Sequence, residues 1–482
     1  MGSPKLTKGK LRKTMVFSSI LFMFIYLPCV LGIYYALPKK YRNGALFILN
    51  LIFYGWGEPI YITIMILSTI IDYTHGILVE TNMEKGNIKR AKMWVGSSVF
   101  FNLLLLTFFK YFDFIVGNIL AIAPNLPIKP MGLPLPIGIS FYTFQTMSYT
   151  IDVFRGDAKA QRNIFAFGSF VTLFPQLIAG PIIKYKDVDD QLTHRTESID
   201  KFAKGVETFM AGLCKKALLA NNIGPLWDSI YATAFTEQSV LSLWLGIIAF
   251  VLQLYFDFSG YSDMAIGLGR MLGFEFMINF NYPFISKSIT EFWRRWHISL
   301  GSWFREYVYI PLGGNRCSKA RNFFNIFVVW ATTGIWHGAS WNFLVWGLIF
   351  AVLLMLEKGF LLKKLNKAPS IVSHAYTLFF VLLSFVFFAI EDMSMGLTYM
   401  SGMFGMKGLP LINADFLYNI RNYGALLVIL FIGATPFAKN TFNRLRESKG
   451  DWFVPVLCMI GLIISTAYLV DASYNPFLYF RF

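Results

Sequence analysis

Residues 290–316 read TEFWRRWHISLGSWFREYVYIPLGGNR, crowding Glu291, Arg294, Arg295, His297, Arg305 and Glu306 into a chain that is otherwise overwhelmingly apolar. In a lipid-facing span, the five formal charges among them would cost on the order of 15 kcal/mol, at roughly 2.5–3.5 kcal/mol each. The segment must therefore sit inside protein or against water. Ionisable groups placed at such cost mark a functional site.

Working outward, the chain is 56% hydrophobic and only 15% charged, with a mean hydropathy of +0.53. Globular proteins carry about 25% charged residues, so this composition describes an integral membrane protein. Its 482 residues hold on the order of ten spans of about 20 residues. No stretch is polar enough for a separate soluble domain, so residues 15–482 are expected to form a single membrane-embedded domain. Residues 1–14, MGSPKLTKGKLRKT, read either as a native basic extension or as a non-native addition.

Apolar runs cover 16–37, 44–56, 60–79, 95–109, 135–153, 164–183, 202–220, 241–258, 323–336, 343–362, 376–390, 423–437 and 454–470. Nothing resembles a cleavable signal peptide. In the run 170–181, FVTLFPQLIAGP, Pro175, Gln176, Gly180 and Pro181 predict a broken helix, tolerated at membrane depth only where protein or a cavity satisfies the freed backbone. The net charge of +16 lies in short clusters between apolar segments. These read as topology signals and lipid-headgroup anchors, so membrane lipids rather than nucleic acid are the expected partners. Basic loops at 39–42, 85–92, 363–367 and 439–449 should face the cytoplasm. Counting outward from the first two places the N-terminus outside, whereas the basic residues before Met15 argue the opposite.

Cys29, Cys214, Cys317 and Cys458 stand singly and suggest neither a disulfide framework nor a zinc site. His75, His194 and His374 lack metal-ligand spacing and read as loop or helix-packing residues; no metal is expected. No Walker A sequence and no G-x-S-x-G elbow is found, which removes the usual supports for nucleotide hydrolysis and serine hydrolase chemistry.

His337 lies in ATTGIWHGASWNF, flanked by Gly334, Trp336, Gly338 and Trp341. Apolar burial disfavours imidazolium, so a neutral ring could accept a proton from an attacking hydroxyl; an interhelical hydrogen-bonding histidine explains the same residue. His297 precedes it by forty positions, beside Arg294 and Arg295, with Glu291 at helical pairing distance. An amphipathic interfacial anchor is the competing explanation there. In YFDFSGYSDMAIGLGRMLGF, residues 255–274, Asp257 and Asp263 are expected to be paired, holding a histidine or arginine in place rather than reacting. The turn at Pro311, Gly313 and Gly314, with Lys287, Arg294, Arg295 and Arg305 nearby in sequence, could bind donor phosphates; a headgroup anchor fits as well.

At these residues the chain resembles the membrane-bound O-acyltransferases, and within them the alginate O-acetyltransferase-like branch. The resemblance begins at MVFSSILFMFIYLP from Met15 and recurs at LPLPIGISFYTFQTMSYTIDVFRG from Leu133 and FPQLIAGPI from Phe174. It runs on through the three motifs above to the closing NPFLYFRF from Asn475. It implies an all-α, multi-span integral membrane fold with broken or re-entrant helices around a transmembrane tunnel, in the plasma or inner membrane. His337 matches the family's catalytic histidine and His297 its second characteristic one; Asp257, Asp263 and Trp336 are candidate supports.

The implied reaction moves an acetyl group from a cytoplasmic thioester to a hydroxyl acceptor, for O-acetylation of an extracytoplasmic polysaccharide through a partner transferase. Acetyl-CoA is the expected donor substrate and no cofactor is bound; an acyl carrier protein, as in teichoic acid D-alanylation, is the alternative. Broken helices and buried charges also describe a transporter of lipid-linked sugars or small anions. A non-catalytic scaffold for the partner is a third reading.

Overall fold

A computed structural model of the chain describes residues 15–178, 180–471 and 478. The basic extension before Met15 and, apart from Leu478, the closing NPFLYFRF motif lie outside the described residues. Every regular element among the described residues is a helix. Seven are long and apolar enough to cross a membrane: Ile62–Glu84, Ile88–Ile122, Val240–Met271, Trp341–Leu365, Ser370–Ala389, Ala414–Gly433 and Phe453–Asp471. Each apolar run read from the sequence contains helix, and 241–258 is the first part of a helix that continues through the Asp257–Asp263 motif to Met271.

The described residues form two compact units, one built from residues up to 109, 132–205 and 268–275, the other from 110–131, 206–267 and 276 onward. In the first, Ile62–Glu84, Ile88–Leu106 and Ile139–Arg155 pack together around a buried polar network. Asp72 accepts hydrogen bonds from Ser98 and Asn102, and Asn102 accepts one from Thr146. The run 170–181 is broken as its prolines and glycine require: the helix Ile164–Thr172 stops at Leu173 and a single turn, Phe174–Leu177, follows. The freed groups are satisfied by protein. Phe174 N donates to Asn50 Oδ1 at 3.3 Å, and the Gln176 amide donates to Phe170 O at 2.6 Å.

The second unit carries a large apolar core. At its centre the helices Lys319–His337 and Trp341–Leu356 cross at two glycines. A Cβ on Gly334 would lie 2.4 Å from Phe343 O, and one on Gly347 would lie 2.4 Å from Trp330 O. Small residues allow backbones to approach where no hydrophobic force drives helices together in lipid. The crossing stacks Trp330, Trp346 and Phe350 against Trp293, whose ring centroid is 4.5 Å from Trp330 and 4.9 Å from Phe350.

Among the described residues five π-helical turns interrupt the α-helices, at Phe22–Tyr26, Thr107–Tyr111, Lys215–Ala220, Arg305–Tyr309 and Glu357–Leu361. The last four carry Lys110, Lys215 and Lys216, Arg305 and Glu306, and Glu357 with Lys358. Such single-turn bulges concentrate at functional sites.

Gly334→Ala and Gly347→Ala are expected to lower the thermal unfolding temperature of detergent-purified protein, because the new methyl meets backbone that cannot rotate away; overpacking of this kind costs typically about 1–3 kcal/mol. Gly359→Ala, whose Cβ would meet only the Phe323 ring at 3.7 Å, is the control and should melt like wild type. Equal melting of all three variants would mean that the helices do not cross at the glycines.

Candidate active site

The polar segment that opens the sequence reading folds as two seven-residue helices, Ile289–Arg295 and Ile298–Phe304. The first starts on a near capping box: Ser288 Oγ accepts from Glu291 N at 3.0 Å, and Glu291 Oε2 accepts from Lys287 N at 2.9 Å. Such reciprocal bonds satisfy donors that a helix start leaves free. Glu357, only 1% exposed, completes the end by accepting Ile289 N at 2.7 Å and both Thr290 N and Thr290 Oγ1 at 2.8 and 2.6 Å. A carboxylate is favourable at this pole of a helix.

Between the helices His297 adopts the left-handed conformation, φ 47° and ψ 53°. For a non-glycine residue this is costly and persists only where the surroundings impose it. Asn279 imposes it here. Its carbonyl accepts Ile298 N at 2.9 Å, its side chain accepts Ser299 N and Ser299 Oγ, and Asn281 N donates back to Arg295 O at 2.9 Å.

The left-handed residue directs the His297 ring into the core, where it is 1% exposed, with its centroid 4.7 Å from Phe258 and 6.5 Å from His337. His337, 6% exposed, lies 5.0 Å from Trp346, 5.1 Å from Trp336 and 5.4 Å from Phe388, each edge to face. The two histidines, forty positions apart in sequence, are thus brought together, with Trp336 against both. His337 also lines a small cavity with Trp346, Trp296, Phe258, Phe385 and Phe388.

Several polar atoms here have no hydrogen-bond partner among the described residues: both ring nitrogens of His297, Nδ1 of His337, Nε1 of Trp293 and of Trp346, and Oδ1 of Asn342. Each such burial costs about 1–3 kcal/mol, so native proteins keep few of them. Three of these atoms are imidazole nitrogens of the facing pair His297 and His337.

The remaining candidates sit differently. Asp257 and Asp263 are paired, but with lysines rather than with a histidine or arginine. Lys216 Nζ lies 2.7 Å from Asp257 Oδ1, fully buried, and Lys215 Nζ lies 2.6 Å from Asp263 Oδ2. Asp257 also accepts Leu478 N at 2.9 Å. Both therefore belong to the scaffold. Arg295 is taken up by Glu291 at 2.9 Å and by Asn281 O, while Arg294, Arg305 and Lys287 are exposed.

In the Gly313–Gly314 turn, a candidate phosphate site or headgroup anchor by sequence, both amides are bonded within the turn. Gly313 N donates to Ile310 O and Gly314 N to Tyr309 O, both at 2.9 Å, and the two glycines are there for their positive φ values of 110° and 55°. Of the other histidines, His75 bonds Ile71 O and Ser97 Oγ, His374 bonds Ser286 O, and the exposed His194 bonds Asp190.

Lys110, Glu357, Asn279 and Trp346 escaped the sequence reading. Only Lys110 left a trace there, as a lone cation in the apolar stretch LLLLTFFKYFDF.

Comparison with known proteins identifies the family. The profile of the membrane-bound O-acyltransferase family matches residues 143–365, which include both histidines. A probable alginate O-acetylase of Azotobacter vinelandii is 41% identical over 393 residues, 81% of this chain and 78% of that protein. A peptidoglycan O-acetyltransferase of Helicobacter pylori is 29% identical over 97% of this chain and 98% of its own length. A teichoic acid D-alanyltransferase of Streptococcus thermophilus is 31% identical over 47% of this chain and 58% of its own length. With relatives this similar over most of the chain, and with two histidines facing each other in an aromatic core, this multi-pass membrane protein belongs to the membrane-bound O-acyltransferase family.

Proposed function

We propose that this enzyme transfers an acetyl group from acetyl-CoA, entering from the cytoplasm through a tunnel, to a hydroxyl acceptor at the outer face, for O-acetylation of an extracytoplasmic polysaccharide by way of a partner transferase. The observation that carries the reading is the facing pair His297 and His337, with ring centroids 6.5 Å apart and with unpartnered nitrogens. The printed functions of the alginate and peptidoglycan relatives support acetyl transfer to a polysaccharide. Family membership favours acyl transfer over transport and over a non-catalytic scaffold.

In this mechanism a neutral His337 takes the proton of the acceptor hydroxyl as its oxygen attacks the thioester carbonyl. The new C–O bond forms, the C–S bond breaks, and the imidazolium returns the proton to the departing thiolate, so CoA leaves as the thiol. A thioester is already activated, so no ATP is consumed. His297 orients the reacting groups through its free ring nitrogens. The aromatic walls exclude water, and positioning in that dry site supplies much of the rate. Arg294, Arg305 and Lys287 hold the donor's phosphates by their side chains. Arg295 is committed to Glu291 and the glycine turn to its own carbonyls, so neither is part of the phosphate site.

His337→Ala is expected to fold and to lose transfer by about 10²–10⁴-fold, the usual contribution of a general base. Purified protein in detergent with labelled acetyl-CoA checks this through CoA release; normal turnover by the folded variant would end the assignment. His297→Ala should retain a measurable fraction of activity while losing most of it, and wild-type turnover would remove that residue from the site. Arg294→Ala and Arg305→Ala should raise the KM for acetyl-CoA several-fold with little change in kcat, since each removes an exposed ionic contact. Unchanged KM in the double variant would reject phosphate binding at these arginines.

A further inference from the structure

The helix that carries His337 ends on it, and a helix end leaves its last four carbonyls without intrahelical donors. Glycine in the left-handed conformation is the common remedy, but Gly338 is extended, with φ −164° and ψ 155°. It is a glycine for a different reason: a Cβ there would lie 2.2 Å from the Phe343 ring.

The carbonyls are capped from another segment instead. Tyr111 Oη donates to Ile335 O at 2.8 Å, and Lys110 Nζ donates to Trp336 O at 2.6 Å and to His337 O at 3.3 Å. The ammonium also lies 5.7 Å from the centroid of the Trp336 ring.

Lys110 belongs to the spanning segment Ile88–Ile122, where a lysine is expensive and normally extends its head group to the interface. It is held at protein carbonyls instead. The Thr107–Tyr111 turn is π-helical, and this wider turn brings the consecutive side chains of Lys110 and Tyr111 to consecutive carbonyls of one helix end. A cation at that end also meets the negative pole of the helix. The peptide of His337, and with it the direction of its Cα–Cβ bond into the cavity, is therefore set by contacts from the turn.

We infer that Lys110 is a positioning residue for His337: its ammonium fixes the last carbonyls of the helix and thereby aims the imidazole at the reacting groups. This rests on His337 acting as the base. Lys110 acts through the backbone, and Trp336, sharing the same contact, is held in register with it.

Lys110→Met keeps the length of the chain and removes the donors. With acetyl-CoA as probe, kcat for CoA release should fall on the order of 10²-fold, the scale of loss from a misplaced catalytic group. The KM for acetyl-CoA should stay unchanged, and Lys110→Arg should recover most of the lost kcat. A merely structural cap would lower the unfolding temperature and the folded yield while leaving kcat per folded molecule intact. That outcome, or wild-type kcat in Lys110→Met, overturns the inference. Should Lys110→Met not fold, Lys110→Arg is compared with Lys110→Gln: higher kcat in the arginine variant supports the inference and equal kcat refutes it. His337→Ala measured alongside separates the two levels. An active His337→Ala removes the proposed mechanism, whereas a silent His337→Ala with a normal Lys110→Met removes only the positioning role.

Discussion

Two imidazoles, held 6.5 Å apart among aromatic rings and left with unpartnered nitrogens, are the constraint around which this part of the molecule is arranged. Burying such groups without partners opposes folding, by about 1–3 kcal/mol for each one. The surrounding structure must offset that cost without offering the rings a hydrogen bond of its own. It does so with apolar contact and with polar groups that act on backbone. Asn279 and Glu357 grip the segment around His297 from its two sides, while Lys110 and Tyr111 grip the end of the His337 helix. These contacts fall on backbone and leave both ring nitrogens of His297 and Nδ1 of His337 without a hydrogen-bond partner among the described residues.

The helix crossing at Gly334 and Gly347 sets the depth of this arrangement. Because the two backbones touch there, Trp346 lies 5.0 Å from His337, and Trp293, edge to face with Trp330 and Phe350, packs behind it. The buried charges elsewhere in this unit follow a related logic. Lys216 and Asp257 neutralise each other at 2.7 Å on helices that would otherwise place a lone charge in the core. A buried pair is weak evidence for stability but costly to break. Four of the five π-helical turns present charged residues to such partners or to the surface, which points to a common way of turning a charge out of a regular helical register.

Much of this was legible in the sequence because its strongest signals are long. A run such as 241–258 has the length and the low charge of a membrane span, and the break at 170–181 is written in Pro175, Gly180 and Pro181. The two histidines stand out because imidazoles are rare in apolar segments, and the family resemblance joined them. What the sequence hid depends on tertiary contact. That Asp257 meets Lys216, and Asp263 meets Lys215, requires knowing which helices adjoin, so histidine and arginine were equally plausible partners beforehand. That the amides of the Gly313–Gly314 turn are bonded within the turn is likewise invisible in its sequence. Nothing local in Glu357 announces that it caps a helix whose first residue is Ile289. Lys110 reads as a solitary charge until the end of the His337 helix is placed against it.

The most direct test of the account is a structure of the protein with a non-hydrolysable acetyl-CoA analogue. The account predicts the analogue's acyl carbon beside His337 and His297, with a His337 ring nitrogen within hydrogen-bond reach, about 3 Å, of the place where an attacking oxygen would sit. An analogue bound with its acyl group remote from both histidines, the aromatic wall between them intact, would contradict it.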